Sequence, residues 1–176
     1  DADAHFSLGE LLARTGAFEH AISEINEAIR LCPKRHYYLY RLAATFSAAG
    51  LRPEAIQALR NAIRINPQDA FYRYKLARLL GEEGNHREAN AQFQHAASCA
   101  PEDSYYRLWL AISFVQLQRL EDALEAVHDA LRIEEWREPT LLVLAAVLHR
   151  LLGRHETARA YLRRTPHLTE YDRHFL

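Results

Sequence analysis

The sequence has no methionine, two cysteines, six glycines and six prolines among its 176 residues, and its net charge is only −1. Each shortage removes a class of answer. Cys32 and Cys99 alone cannot form the disulfide framework of a small secreted domain, and they fit half-buried free thiols in a reducing compartment. A charge near zero lacks the basic footprint of a nucleic-acid binder or of a protein held on anionic lipid. No apolar run approaches the roughly 18 residues that cross a bilayer. The most apolar stretch, Leu141 to Leu152, is interrupted by Ala145, Ala146, His149 and Arg150. No secretory signal is visible, so the expected compartment is the cytoplasm. The missing methionine, initiator included, leads us to expect an excised segment of a longer protein.

What is present is a period. Gly9, Ala43, Ala77 and Ala111 are spaced by 34 residues, as are Ala21, Ala55, Ala89 and Ala123, and Ala28, Ala62, Ala96 and Ala130. Pro33, Pro67 and Pro101 keep the same step. A fixed period in this range marks a stacked-repeat architecture, in which each unit buries its core only against its neighbours.

Each unit reads as two helices. In the second, Leu39, Leu42, Ala43 and Phe46 have helical spacing. Gly50 then ends the helix, and Pro53 sits where a first-turn proline is tolerated. Ala55, Ile56, Leu59, Ala62 and Ile63 form the next stripe, and Asn66-Pro67 closes it. First helices are expected near 3–15, 37–49, 70–83, 104–117 and 139–152, and second helices near 18–31, 52–65, 86–99, 120–133 and 155–164. Gly16, Gly50, Gly84 and Gly153 mark the turn inside a unit, with Gln118 in that place in the fourth. The small residues are expected where helices approach most closely.

The motifs His5-x2-Leu8-Gly9-x2-Leu12, Leu39-x2-Leu42-Ala43-x2-Phe46, Arg73-x2-Leu76-Ala77-x2-Leu80 and Arg107-x2-Leu110-Ala111-x2-Phe114 resemble the tetratricopeptide repeat, as do the second halves Ala21-x3-Ile25, Ala55-x3-Leu59, Ala89-x3-Phe93 and Ala123-x3-Val127. A fifth unit is weaker, with Ala145-Ala146-x2-His149 and Ala158-x3-Leu162. It comes one residue late, after Glu134-Glu135-Trp136-Arg137-Glu138. The family's opening Trp is absent, and Tyr38, Tyr72 and Tyr106 are expected to take over its packing. The resemblance implies an all-α, right-handed superhelical solenoid of five units, about 2–35, 36–69, 70–103, 104–138 and 139–165. Residues 166–176 would be a C-terminal cap or truncated tail, with His167, Glu170, Asp172, Arg173 and His174 suiting a capping surface. The Ala-, Arg- and Leu-rich style resembles bacterial members.

Motifs that carry chemistry are scarce. Gly81-Glu82-Glu83-Gly84 reads as a helix end with a turn, not as a phosphate loop. No His-Glu-x2-His or Cys-x2-Cys occurs, and the ten histidines include no i, i+4 pair. No Ser/His/Asp set can be assembled from the repeat geometry. We therefore expect no catalytic residue, no metal, no cofactor and no enzyme activity in this segment.

In the family the first helices line the concave face. More than half of the aromatic residues fall on the first helices of units two to four. Phe46 and Phe114 belong to the core stripe. A groove ladder is expected from Phe6, Tyr37, Tyr40, Phe71, Tyr74, Tyr105 and Trp109, made mildly basic by Arg41, Lys75 and Arg78, with Arg73 and Arg107 nearby and Glu10, Glu82 and Glu83 as its acids. Partly exposed Tyr, Trp and Arg dominate binding hot spots, so the implied function is a non-catalytic protein- or peptide-binding scaffold or adaptor. The expected partner is an extended peptide or helix with apolar, proline or acidic residues. The same aromatics could instead only glue neighbouring first helices. The Lys/Asn clamp for chaperone tails does not fit, since its places hold Phe6, Glu10, Arg41, Phe71 and Lys75. Two rivals remain: a recognition arm of a larger enzyme, such as a glycosyltransferase or signalling protein, and a homo-oligomer formed through Trp136, Leu141, Leu142 and Phe175.

Overall fold

The computed structural model describes residues 1–165, and the expectations for 166–176 and for Phe175 lie outside them. The described residues form ten helices: α1 Ala2–Arg14, α2 Phe18–Leu31, α3 His36–Ala48, α4 Arg52–Ile65, α5 Ala70–Glu82, α6 His86–Cys99, α7 Ser104–Gln116, α8 Leu120–Ile133, α9 Pro139–Leu151 and α10 His155–Arg164. Each lies within about two residues of its expected place. None of them is long and apolar enough to cross a membrane.

The helix starts follow the period. Asp1, Asp69 and Asp103 stand 34 or 68 residues apart and cap α1, α5 and α7, each accepting a backbone N–H on its side chain. Glu138, one residue late in register, does the same for α9. Such a cap satisfies one of the orphan donors of a first turn, worth about 1 kcal/mol. The turn inside each unit needs a left-handed residue, and Gly16 and Gly50 supply it with φ of 83° and 78°. In the fourth unit Gln118 adopts the same conformation at φ 60°. The chain still closes as it does elsewhere, with the Arg119 N–H donating to the Phe114 carbonyl at 2.9 Å, like Leu51 to Phe46.

Helices pack in two compact units, the first Asp1–Gly84 and the second beginning at Asn85. In the first, α1 packs on α2, α2 on α3, α3 on α4 and α4 on α5. Its small residues sit where expected: Ala21, Ala28, Ala55 and Ala62 are wholly buried. At Gly9 the approach leaves no room for a side chain. A Cβ added there would stand 2.6 Å from Ile25 Cγ1 and 3.2 Å from the Ala21 carbonyl. In the second unit α6 packs on α7, α7 on α8, α8 on α9 and α9 on α10.

The core of the second unit joins Leu124, Val127 and Leu131 of α8 to Leu141, Ala145 and Leu148 of α9. This corrects the expectation that Leu141 and Leu142 could serve an oligomer contact, because both are buried at 2% and 1% exposure. Trp136 packs against the same core. The segment before α9 turns through two left-handed residues, Glu135 and Trp136, which absorbs the one-residue shift of register.

Candidate functional site

The first unit carries a ladder of rings whose rungs repeat. Phe6 of α1 stacks on Tyr38 of α3 with centroids 4.5 Å apart, and Tyr40 stacks on Tyr72 of α5 at 5.4 Å. These are the same two places, moved on by one period. Phe6 also meets Tyr37 at 5.7 Å and Tyr40 meets Phe71 at 5.3 Å, again equivalent places. Tyr38 and Tyr72 form the inner rail, at 1% and 5% exposure. Their hydroxyls are held by Asp3 Oδ1 at 2.5 Å and His36 Nδ1 at 2.8 Å. Burial, with Asp69 and then Tyr40 nearby, pushes the Tyr72 phenol up to about 12. The inner rail thus takes the packing role expected of it.

The outer rail stays open. Tyr37 is 43% exposed and Phe71 39%, while Phe6 and Tyr40 are half-buried. Tyr74 departs from this pattern. It is buried, packs on Phe71 and holds the Arg78 side chain through a hydrogen bond. It supports the ladder from below, which corrects its placement on the accessible face.

The charges are less uniform than the sequence implies. Arg41 Nη2 meets Glu10 Oε2 at 2.5 Å, so the charge at that place is neutralised. Arg73 Nε donates to the Pro67 carbonyl, and Arg107 Nη2 to the Pro101 carbonyl one period later. Both brace the loop before their helix, and Arg107 also meets Asp129 at 3.2 Å. Arg78 donates to Glu82 at 3.3 Å. Tyr74 foremost, with Glu82, holds the Arg78 guanidinium above its ordinary pKa.

Lys75 is different. Its Nζ lies 5.0 Å from the centroid of the Phe71 ring and 5.6 Å from that of Tyr74, an arrangement that suits cation–π attraction. Among the described residues it forms no ion pair. Beside it, between α3 and α5, opens a cleft of about 230 Å³ walled by Tyr40, Lys75, Arg78 and Glu82, with Ala43, Ala44 and Leu59 lining its interior. The small side chain of Ala44 leaves this room, since one period later that place holds Arg78.

In the second unit, Tyr105 is 45% exposed and edges onto the half-buried Trp109 at 6.3 Å. Trp109 in turn stacks on the buried Phe93 at 6.1 Å. Tyr105 offers an open ring and Trp109 is mostly an anchor.

Sequence reasoning missed a second cluster of rings. Tyr161 of α10 stacks on His149 of α9 at 5.2 Å and on His128 of α8 at 6.0 Å, and its hydroxyl meets His128 Nε2 at 2.9 Å. His149 is 6% exposed, and neither of its ring nitrogens has a hydrogen-bond partner among the described residues. Burial, then His128, lowers the His149 pKa. Burial likewise lowers that of His128. The available signal was register: His149 occupies the place of Leu12, Phe46, Leu80 and Phe114, where a polar ring is out of pattern. Among the described residues no group of three His, Cys, Asp or Glu side chains could hold a metal ion.

Comparison with known proteins bears on fold and family. No protein of curated function matches the sequence. Among solved structures, MamA superposes with a TM-score of 0.80 at 17% identity, over 93% of this chain and 89% of that one. YrrB, described as a TPR protein with an unusual peptide-binding site, gives 0.74 at 18% identity, over 94% and 84%. PilF of Pseudomonas aeruginosa gives 0.69 at 19% identity, over 97% and 79%. At these identities the likeness establishes the helical-repeat fold. The tetratricopeptide repeat family model matches residues 1–36 and 74–136, more than half of the sequence. The chain belongs to the tetratricopeptide repeat family.

Proposed function

We propose that this chain is a non-catalytic protein-binding scaffold, and that its first unit takes a peptide segment along the outer rail Phe6, Tyr37, Tyr40 and Phe71. The observation that carries this reading is the cleft beside Tyr40, where Lys75 forms no ion pair among the described residues. An open aromatic rail next to a lysine matches a peptide that pairs an aliphatic or aromatic side chain with a nearby Asp, Glu or terminal carboxylate. The apolar side chain enters beside Ala43 and Ala44, and the carboxylate meets Lys75 and Arg78. Tyr105 and Trp109 of the second unit are proposed as a further contact for the same class of partner. The fold shared with YrrB, described as having a peptide-binding site of its own, supports the class of activity and no individual contact.

Fluorescence anisotropy with a labelled library of short peptides tests the reading. Binders are expected to be enriched in acidic residues beside an apolar one, to weaken with salt, and to be lost in a Lys75→Glu, Phe71→Ala variant whose circular dichroism is unchanged. Binders indifferent to that variant would reject it.

A further inference from the structure

The cleft beside Tyr40 has a copy one period earlier. The places of Tyr40, Ala43, Leu59 and Lys75 hold Phe6, Gly9, Ile25 and Arg41 there. The gap between α1 and α3 is therefore built from the same places as the gap between α3 and α5. One difference decides how the two gaps are filled: α1 has Glu10 where α3 has Ala44. Glu10 reaches across the first gap, and its Oε2 meets Arg41 Nη2 at 2.5 Å. Their side chains are only 22% and 31% exposed, so the pair is less screened than one on the open surface. In the second gap the methyl group of Ala44 carries no charge to offer. Lys75, the counterpart of Arg41, forms no ion pair among the described residues and lies over the Phe71 and Tyr74 rings. In the second compact unit the two places hold Ile112 on α7 and, one residue late, Leu144 on α9. Neither member of the pair is present there.

We propose that the place shared by Glu10 and Ala44 sets what each gap accepts. A glutamate there closes the gap with an ion pair internal to the chain. An alanine leaves the gap open to a side-chain carboxylate, Glu or Asp, within a bound peptide. That carboxylate pairs with Lys75 as Glu10 pairs with Arg41. The inference rests on the peptide-binding reading above and sharpens it in two ways. The acid is an internal side chain, because the template in the chain is a carboxylate on an aliphatic arm. Its register is fixed, because in the first gap the chain has already supplied the acid. Glu82, the carboxylate lining the open cleft, is engaged by Arg78 at 3.3 Å, which offsets its repulsion of an incoming acid. Ala44 is thus a specificity-determining residue through what it leaves out.

The probes are matched short peptides, N-terminally labelled and C-amidated, with Leu beside a central Glu or a central Gln. By anisotropy, the Glu peptides are expected to bind the full chain about tenfold tighter than their Gln twins, the value of one hydrogen bond to a charged group. Lys75→Gln should erase that preference while keeping the affinity for the Gln peptides. Ala44→Glu should erase it too, because the cleft then holds its own acid. In a folded Glu10→Ala, Ala44→Glu double variant the preference should return and depend on Arg41, the open gap having moved by one period. A second readout needs no peptide. Ala44→Glu should have a higher Tm than Ala44→Gln, and adding Lys75→Gln to both should cancel the difference. Equal Tm values for the first pair overturn the inference. If Glu and Gln twins bind alike and Phe71→Ala still abolishes both, the rail reading stands and this inference is overturned. It is overturned as well if peptides with a free C-terminal carboxylate bind and all amidated ones fail, because the cleft then takes a chain end. If no peptide binds, amidated or free, the rail reading fails and this inference fails with it.

Discussion

The two compact units obey the same 34-residue rule with unequal strictness. In the first unit the rule is kept: each turn inside a repeat has a glycine, the small places hold Gly or Ala, and the aromatic rungs recur at equal places with one rail left open. In the second unit the departures collect. Gln118 takes a glycine's conformation, Glu135 and Trp136 follow with positive φ, and a core place goes to His149. Its rings on α8, α9 and α10 are closed over one another. The regular unit keeps a whole rail of aromatics open, whereas the irregular one leaves Tyr105 open and spends His128, His149 and Tyr161 on holding its last repeat together.

The sharpest way to break this contrast is to remove a ring from each side. Tyr161→Ala takes out the half-buried ring that packs against both His128 and His149 and removes the hydroxyl that meets His128, and should cost about 2 kcal/mol, just under the range for fully buried aromatics. Tyr37→Ala removes a 43% exposed ring and should cost under about 1 kcal/mol, like other surface changes. Urea titration of the two variants checks the order. Equal losses would mean that the open rail is as structural as the closed stack, and the binding reading of Tyr37 would fall with it.

Acid should separate the units next. His149 faces Tyr161 and Arg154 from the α10 side and His128, with Asp129 and Arg132 beyond it, from α8. Its folded pKa is lowered, chiefly by burial, so the folded state prefers the neutral ring. Above the unfolded value of about 6.5 both states are neutral and nothing is lost. As pH falls through that value the unfolded chain takes up a proton that the folded one resists, and stability drops. His128 adds to the loss in the same direction. Replacing His149 by Phe, the residue at Phe46 and Phe114, should flatten the dependence between pH 8 and pH 5, as read by denaturation midpoints. An unchanged slope would place the acid sensitivity elsewhere.

How much of this was legible depends on what the period constrains. Helix positions, the buried Ala21, Ala28, Ala55 and Ala62, and the turn residues all follow from places that recur, so one chain carries several copies of the same information. The inner and outer rails were also legible, because Tyr38 and Tyr72 repeat one place and Tyr37 and Phe71 another. Tyr74 was not. It occupies the place of Phe6 and Tyr40, and only its own surroundings bury it. The neutralisation of Arg41 by Glu10 was hidden for a similar reason. That pair joins α1 to α3, and one period later the place of Glu10 belongs to Ala44, so no second copy announced it. His149 could have been found from its register, since a stripe of Leu and Phe broken by one His is an anomaly visible in sequence. Its unsatisfied nitrogens could not.

The smallest test sharpens the contrast from the side of the backbone. Gln118 stands where Gly16, Gly50, Gly84 and Gly153 stand in the other units, and it holds φ 60° against the clash that a Cβ meets in the left-handed region. That conformation costs a non-glycine residue roughly 1–2 kcal/mol. Glycine relieves it but adds freedom to the unfolded chain, which returns about 0.5–1 kcal/mol. Gln118 is exposed, so its side chain contributes little packing to weigh against the change. Gln118→Gly should therefore stabilise the second unit by about 0.5–1 kcal/mol, seen as a higher urea midpoint with an unchanged slope. Gly50→Gln in the first unit is the mirror experiment and should cost a similar amount. If Gln118→Gly instead lowers the midpoint, the side chain contributes to the second unit in a way its exposure does not show. The irregular turn would then be an adaptation of that unit and not a tolerated lapse from the period.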